Sequence, residues 1–347
     1  MRSVPAIAVS PALELRTYLQ FLENAGVPWK DLARRVGLPQ RMPAAESFLP
    51  THLCSQLVGE LVVREDFAEL SARAALAPDG RLQLWQPMPA AVRTALAAPS
   101  LYLGLKTFSE RLKTSWSHIS IWLHETREAL WVCTLGPPWL DTRGSEQHVQ
   151  ARTGQIVAMI EQYLGIHWRP RVILLETRHL PSKFLVEIMD GARFIPGAGY
   201  TALPVPKALL ARSGPRPWRT PDLQDELSED IDASGWNWLQ RLQVVMPEYV
   251  LGGQLSVDSA ARIAGIHART LQRALADHGL TFRELVDHAR YDLARQMLAE
   301  STRSVTEISN LLGYSEPTNF ARAFRRVSGR TPSDYRMDIA NTGAHIS

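Results

Sequence analysis

Apolar residues recur at every third or fourth position through much of the chain, and that spacing predicts helices. Leu15, Leu19 and Leu22 mark one helix over 12–25, ending at Gly26. Leu53, Leu57 and Leu61 mark a second, from Pro50 to about Arg64, and a third apolar stripe spans 101–115. The period then changes. Ile119, Ile121 and Leu123 alternate with Ser120, Trp122 and His124, the pattern of a strand with one buried face. The stretch ALWVCTL at 129–135 reads as its partner. Helical spacing returns from Val149 to Tyr163, with Gly165 placed to cap it. RVILLE at 171–176 reads as a short buried strand, and one further strand is expected within 193–202. About four strands and at least five helices make the N-terminal part an α+β structure, helices with a small antiparallel sheet. A jelly-roll barrel needs about eight strands, more than these.

The pattern breaks at RSGPRPWRTPD, residues 212–222, where three prolines and a glycine sustain neither helix nor central strand. An acidic stretch, DLQDELSEDID, overlaps its end. We therefore expect a first domain over 1–212, a linker over 213–233 and an all-α domain over 234–340. A length of 347 residues agrees with about two domains.

Composition narrows the class. The 38 basic and 35 acidic residues nearly balance, which excludes a histone-like polycation. Cys54 and Cys133 form neither a disulfide framework nor a zinc cluster, so a reducing compartment is expected. His118, His124 and His148 lack metal-ligand spacing; no metal and no cofactor are expected. No apolar run approaches the roughly 18 residues of a membrane span. The opening Arg2 and VPAIAV are interrupted by Pro5, Pro11 and Glu14, unlike a signal peptide. A cytoplasmic protein without membrane partners is expected.

The all-α part contains an internal duplication. In LSVDSAARIAGIHARTLQRAL, residues 255–275, Ser256 can cap a short helix that buries Val257, Ala260, Ala261 and Ile263. Gly265 supplies the positive φ of a tight turn, and a second helix points Leu271 and Leu275 inward. In SVTEISNLLGYSEPTNFARAF, residues 304–324, Ser304, Ser309 and Gly313 repeat the positions of Ser256, Ala261 and Gly265 48 residues on. Ser315 can cap the second helix there, with Pro317 in its first turn and Phe320 and Phe324 inward. Two helix-turn-helix units result, at 256–278 and 304–327, joined by a helix from Thr281 to about Glu300.

Charge placement gives the duplication a chemistry. No lysine occurs after residue 230, and arginine supplies every basic residue there. Arg269 and Arg273 lie in an acid-free run over 267–275, and Arg322, Arg325, Arg326 and Arg330 lie in another over 317–330. Arginine suits phosphate backbones and can grip guanine with two hydrogen bonds. A monomer with two such helices could reach successive major grooves about 34 Å apart.

Residues 235–338 also resemble the DNA-binding domain of the AraC/XylS transcriptional regulators. The residues that carry the likeness are A-x3-G-I-x2-R-T-L-Q-R at 261–273, G-x-T-F-x-E-L-V at 279–286 and R-x3-A-x2-M-L at 290–298. They continue with S-V-x-E-I-S-x2-L-G-Y-S-E-P-T-N-F-x-R-A-F-R-R at 304–326 and G-x-T-P-x2-Y-R at 329–336. His267 stands where the family usually has a Ser N-cap, and Ser309 replaces an Ala. The resemblance implies a base-reading face of Arg269, Gln272 and Arg273 in the first unit and Pro317, Thr318, Asn319 and Arg322 in the second. Thr270 and Thr281 would meet phosphates, and Arg325 and Arg326 would add to the DNA contact.

Residues from about 20 to 212 resemble the arabinose-binding-like effector domain of one branch of that family. The likeness rests on A-G-V at 25–27, W-R-P at 168–170, R-F at 193–194 and L-P-V-P at 203–206. It implies that 1–212 binds an effector and dimerises. Trp122, His124 and Trp131 on the hairpin are the expected effector-lining residues, in a region that also holds Trp85, Trp116, Trp139 and Trp168. The implied protein is a bacterial, cytoplasmic, nucleoid-associated regulator with promoter DNA, a small-molecule effector and a second copy of itself as partners. RNA polymerase joins them if it is an activator. Two alternatives stand beside this: an N-terminal domain that only dimerises or binds a protein, and an enzyme with a DNA-binding tail. No G-x-S-x-G, Walker loop or G-x-G-x-x-G supports the last, so no catalytic residues are expected.

Overall fold

The computed structural model describes residues 7–45, 47–62, 90–115, 119–136, 145–213, 236–251 and 255–343. Nearly all of the expected linker, and Trp85, Trp116, His118 and Trp139, lie outside these residues. The chain forms two compact units. One comprises Ala8–Val36 and Met42–Trp236; the other holds everything from Asn237 on, with Gly37–Arg41 and the segment ending at Ile7.

The first unit is α+β. Strand β1 (Val9–Pro11) pairs antiparallel with β2 (Phe48–Pro50), and each runs directly into a helix, α1 (Ala12–Asn24) and α3 (Thr51–Val62). Between them lies α2 (Trp29–Val36). This two-stranded pair is absent from the sequence expectation, because three residues ending in proline are too few to show a period of two. Next come α4 (Ala90–Leu96) and α5 (Leu101–Ser115), followed by the expected hairpin of β3 (Ser120–Glu125) and β4 (Ala129–Leu135). Helix α6 (Ser145–Leu164) then leads to β5 (Val172–Leu174), α7 (Lys183–Ile188), β6 (Arg193–Ile195), β7 (Thr201–Pro206) and α8 (Lys207–Leu210). The single strand expected within 193–202 is thus two strands. Gly197 and Gly199, at φ 75° and 81°, take a left-handed conformation that breaks the extended chain between them.

The five strands are ordered β3-β4-β7-β5-β6, antiparallel except for the β5–β6 pair. Alternation divides their side chains. Ile121, Leu130, Val132, Leu203 and Val205 are buried in one core with Leu105 and Phe108 of α5 and Ile156 and Ile160 of α6. Burying such side chains stabilises by roughly 1.5–3 kcal/mol each. Helix α6 also buries polar groups, which must find partners. The Arg152 side chain donates to Thr134 Oγ1 at 2.9 Å and pairs with Glu176, which also accepts from the Gly136 amide. His148 lies 3.1 Å from Glu14 and 2.9 Å from Ser55, so a polar chain ties α6 to α1 and α3.

The second unit is helical among its described residues: α9 (Trp238–Leu251), α10 (Val257–Ile263), α11 (Ala268–Asp277), α12 (Phe282–Glu300), α13 (Val305–Leu311), α14 (Pro317–Ser328) and α15 (Pro332–Gly343). Helix α12 is its hub and packs against α9, α13, α14 and α15. Leu271 and Leu275 are fully buried, as are Phe320 and Phe324. The Phe324 ring sits 5.0 Å from Tyr291, 5.5 Å from Tyr335 and 5.9 Å from Phe320, an aromatic cluster of the usual tilted and edge-on kind. Arg41 belongs to this unit and pairs with the buried carboxylate of Glu248. Among the described residues no helix is long and apolar enough to cross a membrane.

Candidate nucleic-acid interface

Each helix-turn-helix unit is built by a cap, a turn and a buried pair. Ser256 caps α10: its hydroxyl accepts from the Ser259 amide, and the Ser259 hydroxyl accepts from the Ser256 amide at 2.8 Å. Ser304 caps α13 with the same reciprocal pattern, its partner being Glu307. A cap of this kind supplies about 1 kcal/mol by satisfying amides that the first turn leaves open. The turns follow at Gly265 and Gly313, with φ 65° and 77°. Ala261, with 4% exposure, and Ser309, with none, fill the close crossings. Helix α12 between the units opens on a third reciprocal cap, in which the Thr281 hydroxyl is engaged with Glu284. That engages the group expected to meet phosphate.

The second helices start differently. His267 is the N-cap of α11 and makes no side-chain cap bond. In α14 the N-cap is Glu316, not Ser315 as expected, and Pro317 takes the first helical position. The cause is steric. Proline drives the preceding residue into extended conformation, and Glu316 has φ −140° and ψ 131°, so the helix begins one residue later.

With Leu271 and Leu275 inward, α11 exposes Arg269, Gln272 and Arg273, and half-buries Thr270. With Phe320 and Phe324 inward, α14 exposes Thr318, Asn319, Arg322, Arg325 and Arg326, and half-buries Pro317. The residues expected from sequence thus fall on the outer sides of the two second helices. Arg322 Nη2 donates to Asn319 Oδ1 at 2.6 Å, one turn earlier. Arg326 pairs with Asp287 of α12. The side chains of Arg269, Gln272 and Arg273 make no hydrogen bond or ion pair among the described residues. Such outward donors, set in the acid-free run 267–275, can bond base edges and phosphates.

Two carboxylates respond to their caps. Glu284 and Glu307 are held below the usual glutamate range, chiefly by hydrogen bonds from the backbone amides of Thr281 and Ser304. Burial raises the Tyr314 hydroxyl, and the Arg290 guanidinium 4.9 Å from its ring opposes that rise. Sequence reading missed Asp287 as a partner of α14. The pair spans 39 positions, and no local period announces it.

In the other unit, Trp122, His124 and Trp131 share one face of the sheet, opposite the buried core. His124 stands directly across from Trp131, and Trp122 across from Cys133. Both tryptophans are half-buried, His124 is exposed, and the Trp122 ring lies 5.7 Å from that of Tyr200. Burial pushes the Cys133 thiol up to about 11, so it stays protonated at neutral pH and packs rather than reacts.

A family model described as a helix-turn-helix domain matches residues 260–338. The transcriptional regulator VqsM of Pseudomonas aeruginosa is 41% identical over 81 residues, 23% of this chain and 25% of its own. The regulator VirS of Mycobacterium tuberculosis is 40% identical over 84 residues, 24% of this chain and 25% of its own. The chain therefore matches about a quarter of the length of these relatives. The regulator GlxA of Rhizobium meliloti is 26% identical over 245 residues, covering 61% of this chain and 76% of its own. Among solved structures, the transcriptional regulator CdpR from Pseudomonas aeruginosa aligns over 94% of this chain and 98% of its own, with 20% identity and a TM-score of 0.40.

Proposed function

Residues 260–338 being a helix-turn-helix domain of AraC type, we propose that the chain is a sequence-specific DNA-binding transcription regulator. The observation that carries this is the duplication: two capped, glycine-turned units whose second helices each turn arginine and amide side chains outward. Arg269, Gln272 and Arg273 read one segment of promoter DNA; Thr318, Asn319 and Arg322 read the other, with Pro317 limited to apolar contact. Thr270, Arg325 and Arg326 hold the phosphate backbone. On this reading residues 1–212 form the effector-binding and dimerising domain and 234–340 the DNA-binding domain. The aromatic sheet face of Trp122, His124 and Trp131 favours a small organic effector, since binding sites are largely apolar with a few polar groups. Effector binding would act by linkage, favouring one arrangement of the DNA-binding domains over another. The protein works in the cytoplasm, as a homodimer, and engages RNA polymerase if it activates.

The test is binding of a mapped promoter site and of random duplex by wild type and Arg322→Ala. Loss of a guanine contact should weaken the specific site by about 1–3 kcal/mol and random DNA far less. Equal loss on both would make Arg322 a phosphate contact and remove it from the reading face.

A further inference from the structure

Helices α12 and α14, with Leu255 and Tyr314, line an open groove of about 690 Å³ within the second unit. Its polar lining is dominated by cations: Arg283 and Arg290 from α12, and Arg322 and Arg326 from α14. One carboxylate, Asp287, lies among them, and it pairs with Arg326. The other three guanidiniums have no carboxylate partner among the described residues. Arg322 is bonded to a neutral amide, Arg283 is exposed, and Arg290 packs on the Tyr314 ring with its buried Nε left without a hydrogen-bond partner. Phe282, Val286 and Ala323 add an apolar wall, which strengthens the field by excluding water.

Like charges gathered without counter-ions repel one another, and a bound anion relieves that repulsion. Guanidinium forks match the paired oxygens of a phosphate, and the groove is larger than one ion requires. We propose that this groove is a phosphate-binding site, in which Arg283 and Arg290 of the connecting helix act with Arg326, and Asp287 limits the affinity. The phosphate has two possible sources. It is a backbone phosphate of the duplex that Asn319 and Arg322 read, or the phosphate of a free ligand that would then compete with DNA for those side chains. The first source rests on the DNA-binding reading above; the second does not.

The experiment uses the full chain, as wild type, Arg283→Gln and Asp287→Asn, with two probes. One is inorganic pyrophosphate, followed by calorimetry. The other is a random duplex, followed by fluorescence anisotropy over a range of salt. Melting temperatures confirm that the variants fold, and Arg283, being exposed, provides the test independent of folding. For a backbone phosphate, Arg283→Gln weakens duplex binding and lowers the slope of log affinity against log salt by about 0.9. Asp287→Asn then tightens duplex binding severalfold, and pyrophosphate binds to none of the proteins. For a free ligand, pyrophosphate binds the wild type and displaces duplex. It then binds more tightly to Asp287→Asn and more weakly to Arg283→Gln, with the salt slope unchanged.

Either pattern establishes the site and names its source. Unchanged binding of both probes by Arg283→Gln overturns the site, as does weaker binding by folded Asp287→Asn. The two readings also fail separately. Pyrophosphate bound in this pattern by a chain that ignores all duplexes would keep the site and remove the DNA-binding role. Duplex binding indifferent to both substitutions, with pyrophosphate bound by none of the proteins, would do the reverse.

Discussion

In the first helix-turn-helix unit, the side chains of Arg269, Gln272 and Arg273 stand without a hydrogen bond or ion pair among the described residues. In the second, Arg322 is bonded to Asn319 and Arg326 to Asp287. The framework is the same in both: a serine cap, a small crossing residue, a left-handed glycine and an inward pair. The difference lies in what orders the outward side chains. An arginine carries about 2 kcal/mol of rotamer entropy, some of which is lost when it is fixed on a target. The second unit has already restricted two of its arginines before any target is met. The first unit keeps that freedom and so adapts more readily to varied contacts. Duplication supplies two copies of a scaffold; the neighbours of each copy decide how rigid its reading face is.

The inward pairs differ in the same sense, and this gives the largest expected effect. Phe324 contacts three aromatic rings, while Leu275, its counterpart in the first unit, is an aliphatic core residue. Phe324→Ala should destabilise the second unit by about 3–5 kcal/mol, and Leu275→Ala should cost about 2–5 kcal/mol. Chemical denaturation measures both. If the Phe324 substitution costs less than the Leu275 one, the aromatic cluster is not the stronger anchor and the contrast between the units fails.

The framework was legible in the sequence because its signals are local. Ser256, Ser304, Gly265, Gly313 and the inward pairs announce themselves within a few residues, and the structure places each as expected. The hairpin of β3 and β4 was legible through its alternation. The partners of the reading face were not. Asp287 and Arg326 meet only because α12 and α14 pack together, and a lone acid on an amphipathic helix looks like a solvated side chain. The β1–β2 pair was hidden by its length, and the Glu316 cap by a serine of higher capping preference one residue before it. The effector-lining residues remain a sequence expectation. The fold brings Trp122, His124 and Trp131 to one sheet face, which is the placement such a role requires.

Ser309 sharpens the comparison further. Its hydroxyl is buried without a hydrogen-bond partner, whereas the matching position in the first unit is Ala261. Leaving a buried hydroxyl unsatisfied costs about 1–3 kcal/mol, part of which alanine recovers without opening a large cavity. Ser309→Ala should therefore stabilise the chain by about 1 kcal/mol, read as a shift in the denaturation midpoint at constant slope. A loss instead would show that the hydroxyl is bonded in solution. His267 offers the reverse repair. Its side chain makes no cap bond, and serine is a good N-cap. His267→Ser should add about 0.5–1 kcal/mol to α11, and failure to do so would mean that the turn geometry keeps the hydroxyl from the open amides.

The smallest effect separates the two units by pH. The cap of α13 uses Glu307, whose carboxyl lies below its ordinary range because the Ser304 backbone amide bonds its charged form. The equivalent residue in α10 is Ser259, which does not titrate in the acid range. Glutamate in an unfolded chain titrates near pH 4.3. Because the folded value is the lower one, the contribution of Glu307 is complete above the unfolded value and disappears as the pH falls through the folded value. Acidification should therefore fray the first turn of α13 while the first turn of α10 holds. Carbon-13 shifts of Glu307 and Ile308, compared with those of Ser259 and Ala260, measure the contrast. Glu307→Gln keeps the reciprocal bonds but cannot titrate, so it should remove the pH dependence of α13. Parallel fraying of both helices, or fraying that persists in Glu307→Gln, would assign the change to general acid unfolding rather than to the cap.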